Sequence, residues 1–128
     1  MTTPEYDIPV EPRSLTFKSP FNCCQRSVLK VRNISDKEII YKVKASHTVQ
    51  YRVKNANGFV KPGDVGEIEI TLQPMDNGKK LEKHHFAVSF LDLPLIYKRT
   101  DRTSSEARRI FDDGQMPKTC TIPVEFEV

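Results

Sequence analysis

Apolar and polar residues alternate in short runs along almost the whole of this 128-residue chain. In "GEIEITL" the apolar set is Ile68, Ile70 and Leu72, and Glu67, Glu69 and Thr71 take the other parity. The stretch "NISDKEIIYKVKASHTVQYRV", residues 33–53, sends Ile39, Tyr41 and Val43 one way and Glu38, Ile40, Lys42 and Lys44 the other. It pauses at "KASH" and resumes with Tyr51 and Val53. The same beat recurs in "LTF" (Leu15, Phe17), "SVLKVRN" (Leu29, Val31), "HHFAVSF" (Phe86, Val88, Phe90) and "TIPVEFEV" (Ile122, Val124, Phe126, Val128). Successive side chains of a strand point to opposite faces, so a period of two marks strands with one face buried.

About seven such strands are predicted, separated by turn-forming clusters at 33–37, 55–58, 61–64 and 74–80. Short strands at this spacing predict an all-β fold, an immunoglobulin-like seven-stranded β-sandwich. One segment breaks the rhythm. "TSSEARRIF", residues 103–111, has the capping-box spacing Thr103 to Glu106 and stops at "DDG". It is expected to form one short helical turn in the connection between the last two strands. No repeat or change of pattern divides the chain, so residues 1–128 are expected to be a single domain.

Composition narrows the picture. Nine prolines against five glycines, 38% hydrophobic and 29% charged residues suit a small, well-solvated sandwich. The net charge of +3 comes from 20 basic and 17 acidic residues mixed along the chain. That mixture lacks the one-signed face of a nucleic-acid binder, so nucleic acid is not an expected partner. "KRTDR" and "ARR" carry no interleaved aromatics and are read as solvated loops.

Three cysteines cannot all pair, and the neighbours Cys23 and Cys24, placed on a strand, would face opposite sides. All are expected to be free thiols. The opening "MTTPEYDIPVEP" lacks the basic and apolar segments of a secretory signal, and no apolar run approaches the ~18 residues of a membrane span. A cytoplasmic location without membrane insertion is therefore expected, with the sequon Asn33-Ile34-Ser35 left unmodified.

Candidate chemistry is sparse. His84 and His85, adjacent on a strand, point to opposite faces and cannot chelate one ion together; His47 is the only other histidine. Nothing places a base beside Cys23 or Cys24, and "NANG" and "KPGD" are turns rather than phosphate loops. No catalytic residue, cofactor or metal site is expected, and the chain is not read as an enzyme.

The order "LTFKSPF", "VRNISDKEIIYKVKAS", "YRVKNANGFVKPGD" and "HHFAV" resembles the major sperm protein domain, shared by nematode sperm cytoskeletal proteins and the VAP proteins of the endoplasmic reticulum. The likeness runs from about residue 8 to the C-terminus; its most specific pieces are "N-x-S-D" running into "YKVKAS", and "Y-R-V" followed by "G-F-V-K-P-G". "RRIFDDGQMPKTCTIPVEF" is similar to the sperm-protein ending, whereas "LQPMDNGKKLEKHHFAVSF" is similar to the VAP branch. The coiled coil and membrane anchor of VAPs are missing from the sequence, so a free-standing, sperm-protein-like module is expected.

The resemblance implies the same seven-stranded sandwich and no catalysis. It implies self-association, as homodimer or motility filament in a cytoskeletal setting, as the leading function. The alternative it implies is a VAP-like adaptor that binds acidic peptides bearing two phenylalanines. Carried over residue by residue, the VAP peptide groove falls on Lys42, Lys44, Ala45, Ser46, Lys54, Lys83, His85, Phe86 and Ala87. Three positions depart from the VAP pattern: Ala45 replaces a hydroxyl residue, His85 a lysine and Ala87 a methionine. The competing reading of the lysines is an ordinary solvated sheet face.

Overall fold

The computed structural model describes residues 8–75, 82–93, 109 and 118–128. The strands are β1 (Val10–Glu11), β2 (Leu15–Lys18), β3 (Gln25–Arg32), β4 (Ile39–Ala45), β5 (Tyr51–Lys54), β6 (Asn57–Val60), β7 (Val65–Leu72), β8 (His84–Asp92) and β9 (Lys118–Glu127). They form two sheets. One has the order β1-β3-β7-β5 and the other β2-β9-β8-β4-β6. Among the described residues all pairings are antiparallel except β2 with β9, which is parallel with Phe17 opposite Phe126.

The all-β sandwich expected from the alternation is what the chain forms, and each of the seven predicted strands is present. Two more join them. β1 is only two residues long, and β6 begins at Asn57, inside the cluster expected to be all turn. The turn is confined to 55–56, where Asn55 takes φ 65°, a conformation that asparagine tolerates better than most residues. The helical turn expected at 103–111 lies outside the described residues apart from Arg109, which is exposed.

The core lies between the sheets. Leu29, Val31, Ile68, Ile70 and Leu72 from one sheet meet Phe17, Ile39, Phe86, Val88 and Ile122 from the other, all 2% exposed or less. Burying each such side chain contributes roughly 1.5–3 kcal/mol. The parity of "TIPVEFEV" holds for Ile122 and Val124 but fades toward the end. Phe126 is only half-buried and Val128 is 96% exposed, so the terminal valine is not a core residue. It stands one residue past the end of β9.

Two polar contacts close the seams. Asn33 is fully buried; its Nδ2 donates to the carbonyls of Lys37 (2.8 Å) and Val60 (2.9 Å), and its Oδ1 accepts from the Ser35 backbone N–H and hydroxyl. That amide ties the end of β3 to the end of β6, and its burial gives a physical reason for the sequon to stay unmodified. Tyr41 crosses the core to donate to the Asn55 carbonyl at 2.9 Å. Its ring leaves no room at Gly58, where a Cβ would come within 2.7 Å of the phenol oxygen.

Cys23 and Cys24 precede β3 rather than lying on a strand, so the expected opposite-face arrangement does not arise. Both are exposed free thiols, and Cys120 is half-buried.

A basic sheet face as candidate functional site

β4 pairs over its whole length with β8, with Lys42 opposite Ser89, Lys44 opposite Ala87 and Ala45 opposite Phe86. Because cross-strand partners share a face, this register decides which predicted groove residues can act together. Lys42, Lys44, Ala87 and His85 have the outward parity, and Tyr41, Val43, Phe86 and Val88 fill the core. β9 extends the outer face, with Thr121 opposite Ala87 and Pro123 opposite His85.

The β4–β5 corner is locked onto the start of β8. The Ser46 N–H donates to the His85 carbonyl at 2.9 Å, and the His85 N–H donates to Ser46 Oγ at 2.9 Å. This closed pair continues the β4–β8 ladder by one step through a side chain. It brings an exposed serine hydroxyl beside the His85 backbone. Lys44 and His85 are exposed and Lys42 is half-buried, so the face offers cationic and hydroxyl groups to solvent along two neighbouring strands.

Three predicted residues are not where the carry-over put them. Phe86 is fully buried in the core and cannot line an external groove. Ala45 faces inward, packed against the core cluster, so the hydroxyl missing from it would not reach a ligand on the outer face. Lys54 lies on β5 of the other sheet, opposite Glu69, and does not join the Lys42–Lys44 row. Lys83 is exposed immediately before β8, next in line to the face.

Beneath the corner lies a group that sequence reasoning missed. The His47 ring stacks on His84 with centroids 3.7 Å apart, and His47 Nε2 stands 3.9 Å from Glu82 Oε1. His47 Nδ1 is 2.7 Å from Ser46 Oγ, and His84 Nδ1 is 2.7 Å from the Tyr51 hydroxyl. Burial pushes the Tyr51 phenol well above its ordinary pKa of 10.0, so it remains a protonated hydroxyl at physiological pH. The parity argument separated His84 from His85 correctly, since His84 is buried and His85 exposed. It could not bring in His47, which arrives from a different turn.

Comparison with known proteins places the chain in a family. The family model described as "MSP (Major sperm protein) domain" matches residues 7–113. The human vesicle-associated membrane protein-associated protein A is 34% identical over 84 residues, 65% of this chain and 34% of the relative. The human protein B/C is 29% identical over 109 residues, covering 84% and 43%. The match therefore spans about a third to under a half of these relatives' length. Among solved structures, SSP-19, an MSP-domain-like protein of Caenorhabditis elegans, aligns over 94% of this chain and all of its own, with TM-score 0.74 and 24% identity. The ASH/PapD-like domain 7 of human CEP192 shares the fold with TM-score 0.65 at 12% identity, covering 99% of this chain and 92% of the domain.

Proposed function

Because the chain belongs to the major sperm protein domain family, a family of non-enzymatic interaction modules, we propose that it is an adaptor. It holds an acidic segment of a partner protein against the outer face of β4 and β8. The observation that carries this reading is the shared face of Lys42, Lys44 and His85, closed at one end by the Ser46–His85 pair. Lysines on such a face attract carboxylates and speed encounter, and the serine hydroxyl supplies a directional hydrogen bond. Relatives named for association with another membrane protein support a protein partner over a small molecule.

The face departs from a deep aromatic-binding groove. Ala87 leaves its centre shallow, and Phe86 is turned inward. Recognition then rests on charge and backbone more than on a pocket for phenylalanine, which favours modest affinity with marked salt dependence.

Self-association, the leading expectation from sequence, draws its support from unpaired edges. Among the described residues the edge strands of the two sheets, β1, β5, β2 and β6, are only two to four residues long. Arg52 and Lys54 further charge the β5 edge. Short charged edges are the form that resists extension by strand addition, so the adaptor reading stands ahead of filament assembly. Among the described residues no helix is long and apolar enough to cross a membrane.

The test is an NMR titration of the labelled chain with an acidic peptide containing two phenylalanines, alongside light scattering of the chain alone. The adaptor reading expects shifts at Lys42, Lys44, Ser46, His85 and Ala87 in a monomeric protein. Concentration-dependent growth in mass with no peptide shifts would put self-assembly first.

A further inference from the structure

We propose that His47, Glu82 and His84 form a binding site for one divalent transition-metal ion of the zinc type. The ligand atoms of these three residues all lie within 4.8 Å of one another. The three ligands are not residues of the peptide reading, and the two sites share only Ser46, whose Oγ stands 2.7 Å from His47 Nδ1.

The chemistry of the donors selects the ion. Two imidazoles and one carboxylate suit zinc, cobalt, nickel or copper, whereas magnesium and calcium take oxygen donors almost exclusively. Three protein ligands leave a fourth tetrahedral position for water or for a donor atom from a bound partner.

The second layer of the site is already built. A ligating histidine normally gives its other ring N–H to a fixed acceptor, which sets the tautomer and aims the metal-binding nitrogen. Here Ser46 Oγ stands 2.7 Å from Nδ1 of His47, and the Tyr51 hydroxyl stands 2.7 Å from Nδ1 of His84. Both hydroxyls can accept, so a proton on each Nδ1 leaves each Nε2 as the metal ligand. Tyr51 is held rigidly for this role, its ring edge-on to both His84 and Phe86 in the core.

Binding requires a small rearrangement. Ligand atoms on a tetrahedral zinc sit roughly 3.3 Å apart, given metal–ligand distances of about 2.0 Å. The His47 and His84 rings are inclined by only 27°, so their lone pairs must converge by rotation of one ring. Buried His84 is the fixed point. His47 and Glu82, with side chains 34% and 61% exposed, have the freedom to close onto the ion.

The experiment titrates zinc and, separately, cobalt into the full chain, followed by calorimetry and visible absorption. The expected result is saturable uptake of one ion per chain and a cobalt spectrum without thiolate charge transfer. Zinc also raises the unfolding temperature, because the ion binds only the folded state. His47→Ala and Glu82→Gln, both at accessible positions, are expected to weaken binding at least about tenfold. Glu69→Gln on the other sheet leaves it unchanged, and so does replacement of Cys23 and Cys24 by serine. Three results would overturn the proposal: no saturable uptake, uptake undiminished by His47→Ala, or uptake abolished by the cysteine replacements. In the second and third cases the ion sits elsewhere; in the first, the stacked rings only pack.

Discussion

Ser46 and His85 are joined twice, Ser46 N–H to the His85 carbonyl and His85 N–H to Ser46 Oγ, each at 2.9 Å. The pair pins a turn between the sheets to the first residues of β8, and both the basic face and the histidine cluster depend on that anchorage. Ser46→Ala removes the acceptor of an otherwise ordinary ladder N–H. It is expected to cost about 1 kcal/mol in urea unfolding, with Ser46→Thr close to wild type. Equal losses for both variants would mean that the hydroxyl is not the anchor.

Asn33 supports the opposite end of the sandwich. Asn33→Asp replaces a donor with a charged acceptor facing the carbonyls of Lys37 and Val60. Each carbonyl left unpaired in a buried site costs about 1–3 kcal/mol, so thermal unfolding is expected to fall steeply. A change within the scatter of surface substitutions would contradict the buried position of Asn33.

Phe126 is half-buried, yet its ring meets Phe21 edge-on at 5.4 Å and His84 edge-on at 5.2 Å. Phe126→Ala is therefore expected to cost about 2–3 kcal/mol, at or below the low end for buried phenylalanines because part of the ring already sees water. A loss below about 1 kcal/mol, the scale of a peripheral contact, would show that the end of β9 adds little to the core.

Tyr41 and Tyr51 carry phenols that burial holds above their ordinary pKa of 10.0. Unfolding releases both to ionise at that ordinary value, so their contribution to stability is complete below about pH 10 and declines as pH rises beyond it. Circular dichroism across alkaline pH is expected to show unfolding that Tyr51→Phe shifts upward. Stability that is flat to higher pH would argue against their burial.

Much of this was legible in the alternation itself. Ile68, Ile70 and Leu72 have no exposed surface, as "GEIEITL" announces. The face that carries Lys42 and Lys44 follows from the same parity. Parity also decides against Phe86 and Ala45 as groove residues, because they share the inward beat of Val43 and Val88; the motif likeness overrode that signal. What lay beyond reach was any relation between sheets. Lys54 and Lys44 look close along the chain, but the turn at 46–50 carries Lys54 into the other sheet. His47 meets Glu82 and His84 only because that turn folds back over β8, and no spacing encodes a contact 35 residues apart. β1, at two residues, was too short to show a period, and the Asn57-Gly58 start of β6 carried a turn signal instead of an alternation.

Binding of acidic protein segments by the Lys42–Lys44–His85 face stands or falls with the charge of Lys44, which Lys44→Glu reverses. Calorimetry with one acidic, two-phenylalanine peptide is expected to show binding that weakens at least about tenfold in the variant, equivalent to about 1.4 kcal/mol. Wild-type affinity is also expected to fall as salt rises, since charges on an exposed face are screened over about 8 Å at physiological ionic strength. Binding unchanged by Lys44→Glu, or no binding by the wild-type chain, would show that this face is not a site for acidic segments.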